Sequence, residues 1–199
     1  MGTPLHGKQL WFAWLICGGI AASLLILPIA IGDVQTMRQM TSTLVCGKSF
    51  FTRLFCGGFD ASWPVSSEFQ SSTSYITNVV SLGAIRRDDY SLFSAPNITS
   101  YHGTNAAVFR AENNAWCVVA GLSDEASDIT PFLFTRNLNV SCLAELKGKV
   151  GDQLCDGPPF GRKGVTVIFK GGAARILKPD LLWSNILGGQ TFTNRVLRP

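Results

Sequence analysis

The longest apolar run of the chain lies near its N-terminus, over residues 10–31. These 22 residues, LWFAWLICGGIAASLLILPIAI, carry no charged side chain. Because an α-helix rises about 1.5 Å per residue, the run is long enough to cross a hydrocarbon layer of about 30 Å. A cleaved signal peptide has a shorter apolar region, often of about 7 to 15 residues, followed by a small-x-small cleavage site. The pattern therefore predicts a retained transmembrane helix.

The charges that flank this run predict its orientation. Lys8 precedes it, whereas Asp33 is the first charged residue after it. Because positively charged residues favour the cytoplasmic side of a membrane, we expect residues 1–9 to form a cytoplasmic tail and the rest of the chain to be exported.

Small residues inside the run have a spacing that permits close contact between helices. In lipid, small side chains four positions apart on one helix let a second helix approach closely. The predicted helix–helix interface consists of Gly18, Gly19, Ala22 and Ser23.

Beyond the run, apolar residues recur at steps of three and four, which predicts an amphipathic helix over residues 32–58. The stripe is Val34, Met37, Thr41, Leu44, Lys48, Phe51 and Phe55, with Val45 and Leu54 beside it. Gly57 and Gly58 then give a stop signal. We therefore expect the membrane helix to continue into the exported part of the chain, where one face of it carries the domain.

Residues 59–199 change from loop-like to strand-like composition. Residues 59–105 are rich in Ser, Thr, Asn, Gly and Pro, with one short helical or extended run at 75–85. Strands are predicted at 106–110, 115–121 and 130–136, and a hairpin at 164–178, where Gly171-Gly172 permits a tight turn. A short helix is expected from Asp180 onward, with apolar Leu182, Trp183, Ile186 and Leu187. The fold class is thus α+β, with a small antiparallel sheet whose one apolar face is covered by the helix.

Several motifs in this order resemble the type IV pilin and type II secretion pseudopilin family. The stretch over residues 34–59, VQTMRQMTSTLVCGKSFFTRLFCGGF followed by Trp63-Pro64, is similar to the family's long helix and the bend after it. The motifs NAWCVV, PFLFTRN and VIFKGGAARIL are similar to the terminal strands of a bacterial prepilin-like branch. The resemblance implies a pilin-like fold, a single-pass protein of the bacterial inner membrane with a periplasmic domain, and pilin-like or secretion-system partners.

The N-terminus departs from the pattern that this resemblance implies. The family is processed after a Gly that is followed by an apolar residue, with a glutamate five residues after the Gly. Here Gly7 is followed by Lys8, and Phe12 stands where the glutamate is expected. We therefore expect an uncleaved relative or a minor subunit.

Composition limits the remaining function classes. The net charge of +4 is scattered and the chain has no Lys/Arg cluster interleaved with aromatic residues, so nucleic acid is not an expected partner. Five of the six cysteines follow the apolar run, and export to an oxidising compartment favours disulfides. Cys142 and Cys155 are the predicted pair, because a bond between them would close a loop rich in Gly and polar residues. Buried free thiols are the alternative.

Candidate chemistry is sparse. The two histidines, His6 and His102, have no carboxylate or cysteine at ligand spacing, and no nucleophile motif is present, so we expect no enzymatic activity. Asp124, Glu125 and Asp128 are a weak calcium candidate without the ligand spacing of an EF-hand.

The expected function is a non-enzymatic structural protein of the bacterial envelope, a minor subunit of a type II secretion or type IV pilus-like assembly. The long loops 59–105 and 122–163 would present the partner-specific surface. The alternative is an anchored extracytoplasmic binding module, for carbohydrate or peptide, that does not assemble.

Overall fold

The first element of the chain is a helix, α1, that runs without a break over Gly7–Cys56. The computed structural model describes the backbone of residues 7–56, 63–65, 67–85, 89–103 and 105–199, and the side chains of these residues from 32 onward apart from Asp89. α1 joins the two predicted helical segments and ends one residue before the predicted Gly57-Gly58 stop. The chain divides into two compact units, Met1–Arg38 and Gln39–Pro199, so the boundary falls inside α1.

Five strands in the second unit form one antiparallel sheet in the order β4-β3-β2-β1-β5. Their bounds are β1 Trp116–Val119, β2 Pro131–Thr135, β3 Val165–Phe169, β4 Ala174–Leu177 and β5 Val196–Leu197. The fold class is therefore α+β with an antiparallel sheet, as predicted. β5 was not predicted, because a strand of two residues leaves no periodic signal in the sequence.

The predicted hairpin is present as β3 and β4. Val165 pairs with Leu177 and Ile168 pairs with Ala174, so the register follows the predicted turn. Gly172 in that turn has a φ of +79°, a value that glycine adopts without strain. The turn chemistry and the strand pattern of the sequence agree here, which is why the prediction is correct in detail.

Both faces of the sheet are covered, whereas the sequence predicted one covered face. Every residue of β1, β2 and β3 is buried. The segment over residues 138–154, which was expected to form partner-specific surface, instead contributes a row of apolar side chains to the core. These are Leu138, Val140, Leu143, Leu146, Val150 and Leu154. The short 3-10 turns of this segment place its apolar residues inward without a repeating period, so the composition alone suggested a loop.

The buried face of α1 is offset by about one residue from the predicted stripe. The buried positions are Met40, Thr43, Gly47, Phe50, Phe51 and Leu54, whereas Val45 is 59% exposed. Thr43 fits on this face because its hydroxyl donates to the Gln39 carbonyl at 3.0 Å. Gly47 fits because a Cβ there would lie 2.5 Å from Cη2 of Trp116. Hydropathy does not identify a threonine and a glycine as contact positions, and this explains the offset.

α1 follows the length of the hairpin. The Met40 side chain lies beside Gly164 at the start of β3, and the Phe51 ring lies beside Gly172 in the hairpin turn. Phe51 and Phe55 also pack on Phe132 of β2, with ring centroids 5.9 and 5.5 Å apart. The second half of α1 and the sheet therefore share one core.

The run at residues 75–85 forms a helix, α2, over Ser72–Ser81. Its helical rather than extended state follows from a capping box, in which the hydroxyl of Ser71 accepts from the amide of Ser74 and the hydroxyl of Ser74 accepts from the amide of Ser71. A buried amide ties α2 to the sheet. Asn114 donates to the Ser72 hydroxyl at 3.0 Å and accepts from the Trp116 amide at 2.9 Å.

Two other predicted elements differ from the structure. The predicted strand at 106–110 contains a 3-10 turn over Ala106–Val108, started by the Asn105 side chain, which accepts from the Ala107 amide. The C-terminal helix, α3, covers only Trp183–Ile186, and Leu182 outside it is 42% exposed. Local hydrogen bonding by Asn and an apolar run of only a few residues account for these differences.

Replacing Gly47 by alanine is expected to destabilise the second unit by about 1 to 3 kcal/mol, because the added Cβ overlaps the Trp116 indole. The measurement is the free energy of unfolding in urea, followed by tryptophan fluorescence in detergent micelles. Gly32→Ala is the matched control in the same helix, since nothing lies within 4 Å of its added Cβ. A Gly47→Ala protein as stable as the wild type would contradict the packing described here.

Candidate functional site

The four predicted interface residues, Gly18, Gly19, Ala22 and Ser23, lie within α1. Their side chains, like those of the whole predicted span 10–31, are outside the described residues. Within the part of the chain whose side chains the structure describes, no helix is long and apolar enough to cross a membrane. The interface and the span stay predictions from the sequence.

The predicted disulfide between Cys142 and Cys155 is not formed, and both residues are free thiols. Different neighbours hold the two cysteines. Cys142 bridges to Arg195 in an isolated antiparallel pair, and its Sγ lies 3.6 Å from Oε1 of Glu145. The amide of Cys155 donates to the carbonyl of Asn137, directly after β2. Each end of the loop between the cysteines is thus held by a backbone contact with a residue outside that loop.

Cys117 is the most deeply buried thiol among the described cysteines. It lies on β1 opposite Phe134 and is fully buried. Burial raises the pKa of the Cys117 thiol to about 12, and nearby Arg198 and Arg136 offset only part of this increase. Cys117 is therefore a neutral thiol near pH 7, with the low reactivity of a packed core residue.

The acidic loop predicted as a calcium candidate is bound to neighbouring side chains. Oδ1 of Asp124 accepts from Nε1 of Trp63 at 2.9 Å, and the Asp124 carbonyl accepts from the Lys170 ammonium at 2.6 Å. The same ammonium lies 3.9 Å from Oδ1 of Asp128. A hydrogen bond from the Ser123 side chain lowers the pKa of Glu125.

In the described part of the chain, no group of three or more His, Cys, Asp or Glu side chains is arranged as metal ligands. The Lys170 ammonium already provides a positive charge beside Asp124 and Asp128. Calcium binding by this loop stays a prediction.

A cleft with two arginines, not predicted from the sequence, lies at one end of the sheet. We call it the arginine cleft. It has a volume of about 360 Å³, and its lining includes Glu112, Arg136, Cys155, Gly157, Pro158 and Arg198.

The strand order brings the two arginines together. Arg136 directly follows β2, and Arg198 directly follows β5. Both strands are antiparallel to β1 and flank it. β2 and β5 therefore run in the same direction and finish at the same end of the sheet. The two arginines are far apart in the sequence, and the pairing of β5 with β1 carries no sequence signal. This is why the cleft was missed.

Backbone carbonyls hold both guanidinium groups in place. Nη1 of Arg136 donates to the carbonyls of Ala111 at 2.9 Å and Asn114 at 3.2 Å. Nη1 of Arg198 donates to the carbonyl of Leu138, and its Nη2 to the carbonyl of Arg136, both at 3.1 Å. Because these contacts are neutral, they orient the cations without cancelling their charges.

The electrostatics of the cleft reflect two cations close together. Burial lowers the pKa of Arg136, and the charge of Arg198 lowers it further, whereas Glu112 is among the groups that raise it. Among the described residues, no carboxylate forms an ion pair with Arg136 or Arg198, although Glu112 belongs to the same lining. The cleft therefore has the chemistry of an anion site.

Comparisons with known proteins give no match to any family model, curated protein or solved structure.

Thiol reactivity tests the cysteine assignments. At pH 9, a thiol reagent is expected to modify exposed Cys56 rapidly and to leave Cys117 unmodified in the native protein, because burial keeps the Cys117 thiol protonated well above its usual pKa. Mass spectrometry of peptides after labelling, with an unfolded sample as the control, measures both. A linked peptide that contains Cys142 and Cys155, prepared without reductant, would contradict the free thiols.

Proposed function

We propose that this chain is a non-enzymatic, single-pass protein of the bacterial inner membrane, a pilin-like or pseudopilin-like subunit of a type II secretion or type IV pilus-like assembly. The observation that carries the proposal is the unbroken helix α1 over Gly7–Cys56, whose last turns belong to the core of an antiparallel sheet domain. A membrane helix that shares the core of the domain would carry that domain without a flexible linker.

The sequence of α1 supplies the anchor in this proposal. Residues 10–31 are uncharged, and a helix of that length matches the hydrocarbon layer. Lys8 before the run and Asp33 after it favour an N-terminus in the cytoplasm and a periplasmic domain. After this run, polar residues return at Asp33, Gln35 and Arg38, where the helix would leave the membrane.

The packing of α1 supports a mechanical role. Its side chains Met40, Phe50, Phe51 and Leu54 are buried in the domain, and Gly47 permits direct contact with Trp116. A force on the helix would therefore act on the sheet through packed side chains rather than through a flexible linker. Residues 59–105 would then present the partner-specific surface, since much of the segment over residues 138–154 is buried in the core.

An anchored binding module that does not assemble is the second candidate. The arginine cleft is the observation that favours it, because two oriented cations without carboxylate partners, among the described residues, suit a charged ligand. Both candidate functions include the membrane anchor. They differ in whether the membrane helices of neighbouring copies contact each other.

Charges placed in the predicted span test the anchor. Arginine at the centre of a membrane helix costs about 2.5 to 3.5 kcal/mol, so Leu24→Arg combined with Leu25→Arg is expected to move the protein from the carbonate-washed membrane pellet to the soluble fraction. Val45→Arg combined with Thr52→Arg is the matched control on the exposed face of α1. Extraction of the wild-type protein by alkaline carbonate would contradict the anchor.

Crosslinking through the small face of the span separates the two candidates. In a Cys17→Ser, Cys56→Ser background, which removes the exposed Cys56 thiol, Gly18→Cys and Ala22→Cys are expected to form disulfide-linked dimers in oxidised membranes, because small-xxx-small faces let helices approach closely. Ile20→Cys and Leu24→Cys on the other side of the helix are the controls and should give several-fold less dimer. Equal yields at all four positions, or none, would favour the binding module.

A further inference from the structure

We propose that the arginine cleft binds the carboxylate of an Asp or Glu side chain in an acidic peptide segment of a partner protein. This inference goes beyond the proposed function, because it concerns the cleft alone and does not depend on a membrane anchor. It follows from the orientation of two guanidinium groups, from the charges around them and from the surface that surrounds them.

The two guanidinium groups are oriented before any ligand arrives. Each of Arg136 and Arg198 uses two N–H bonds to backbone carbonyls. A guanidinium has more donors than these, arranged in a planar fork that matches the two oxygens of a carboxylate. A ligand therefore need not order the side chains, and less conformational entropy is lost on binding.

Partial burial makes the two cations more effective. Both arginine side chains are half-buried, so water and salt screen them less than they screen exposed charges. The carbonyls that orient them carry no net charge. An anion between the two guanidinium groups would relieve their mutual repulsion and form charge-assisted hydrogen bonds.

The charged side chains of the lining include Glu112 beside the two arginines. Glu112 is exposed, and its charge is among those that raise the pKa of Arg136. Its carboxylate would repel a bound anion, whereas the two guanidinium groups would attract it. The two oxygens of a partner's carboxylate match the planar fork of a guanidinium.

The lining favours a peptide over a sugar acid. Beside its charged groups, the cleft presents Ala111, Cys155, Gly157 and Pro158, and no aromatic side chain is among the described residues that line it. An aliphatic surface of this kind offers no flat ring on which a sugar could stack. The volume of about 360 Å³ is sufficient for an acidic side chain together with adjacent peptide backbone.

A titration with two peptides that differ only in charge tests the proposal. The full chain in detergent micelles is titrated with Ac-Gly-Glu-Gly-NH2 and with Ac-Gly-Gln-Gly-NH2, and the Nε–H signals of Arg136 and Arg198 are followed by NMR. We expect a saturable shift with the Glu peptide and binding of the Gln peptide that is weaker by about tenfold or more, as for a charge-assisted pair. Equal shifts with both peptides, or no saturable shift, would overturn the proposal.

Variants with opposite expected signs separate ligand binding from structural damage. Glu112→Gln removes the repulsive charge and is expected to tighten binding of the Glu peptide by about two- to fivefold. Arg198→Lys keeps the charge but loses the planar fork, so binding should weaken by about tenfold. Arg175→Gln on β4, at the opposite edge of the sheet, is the matched charge control and should leave the affinity unchanged. Weaker binding in Glu112→Gln would overturn the assignment.

Two small anions identify the source of the carboxylate. Acetate is expected to shift the same signals only at concentrations well above those of the Glu peptide, because it lacks the peptide backbone that contacts the cleft walls. Acetate as effective as the peptide would overturn the peptide assignment. Inorganic phosphate that binds more tightly than the Glu peptide would overturn the assignment of a carboxylate.

Discussion

The burial of Trp116 is the constraint on which the rest of the structure depends. Its side chain is fully buried on β1 and lies so close to α1 that the helix must present Gly47 to it. The indole Nε1 donates to the carbonyl of Leu92 at 3.2 Å, and the Trp116 carbonyl accepts from the Ser72 hydroxyl at 2.7 Å. One residue thus joins α1, α2 and a 3-10 turn to the sheet, and each of its polar backbone and ring groups has a partner.

This arrangement bears on how the second unit would serve an assembly in the proposed function. A helix that is only tethered to a domain turns about its linker, whereas a helix that shares the domain's core moves with it. The aromatic contacts of Phe51 and Phe55 with Phe132 extend the contact along the hairpin. The core of the second unit is therefore the physical basis of the mechanical role proposed for α1.

The sequence predicted elements well where local chemistry and periodicity agree. The β3–β4 hairpin was predicted from its alternating strand and its Gly171-Gly172 turn, and the structure pairs Val165 with Leu177 and Ile168 with Ala174 across that turn. The hydrophobic pattern did not predict which face of α1 is buried, because a glycine that permits close contact has no apolar side chain to mark its position. The 3-10 segments were interpreted as surface for a similar reason, since their apolar residues follow no fixed period.

The site was less accessible to prediction than the fold. The predicted Cys142–Cys155 bond is not present in the structure, where Cys142 pairs with Arg195 and the amide of Cys155 donates to the carbonyl of Asn137. The arginine cleft could not be predicted, since Arg136 and Arg198 meet only through the placement of β5 beside β1. The predicted Gly18–Ser23 interface rests on the spacing of small residues alone.

The central claim is that one continuous helix leads from the membrane into the core of the domain. Its most direct test is a scan with spin labels at successive positions from residue 26 to residue 44, with the protein in lipid bilayers. We expect the mobility of the spin label to repeat about every 3.6 residues throughout. Near residue 32, the label should change from being accessible to dissolved oxygen to being accessible to an aqueous nickel chelate. A loss of this period within the scanned segment, or equal nickel access at every position, would contradict the central claim.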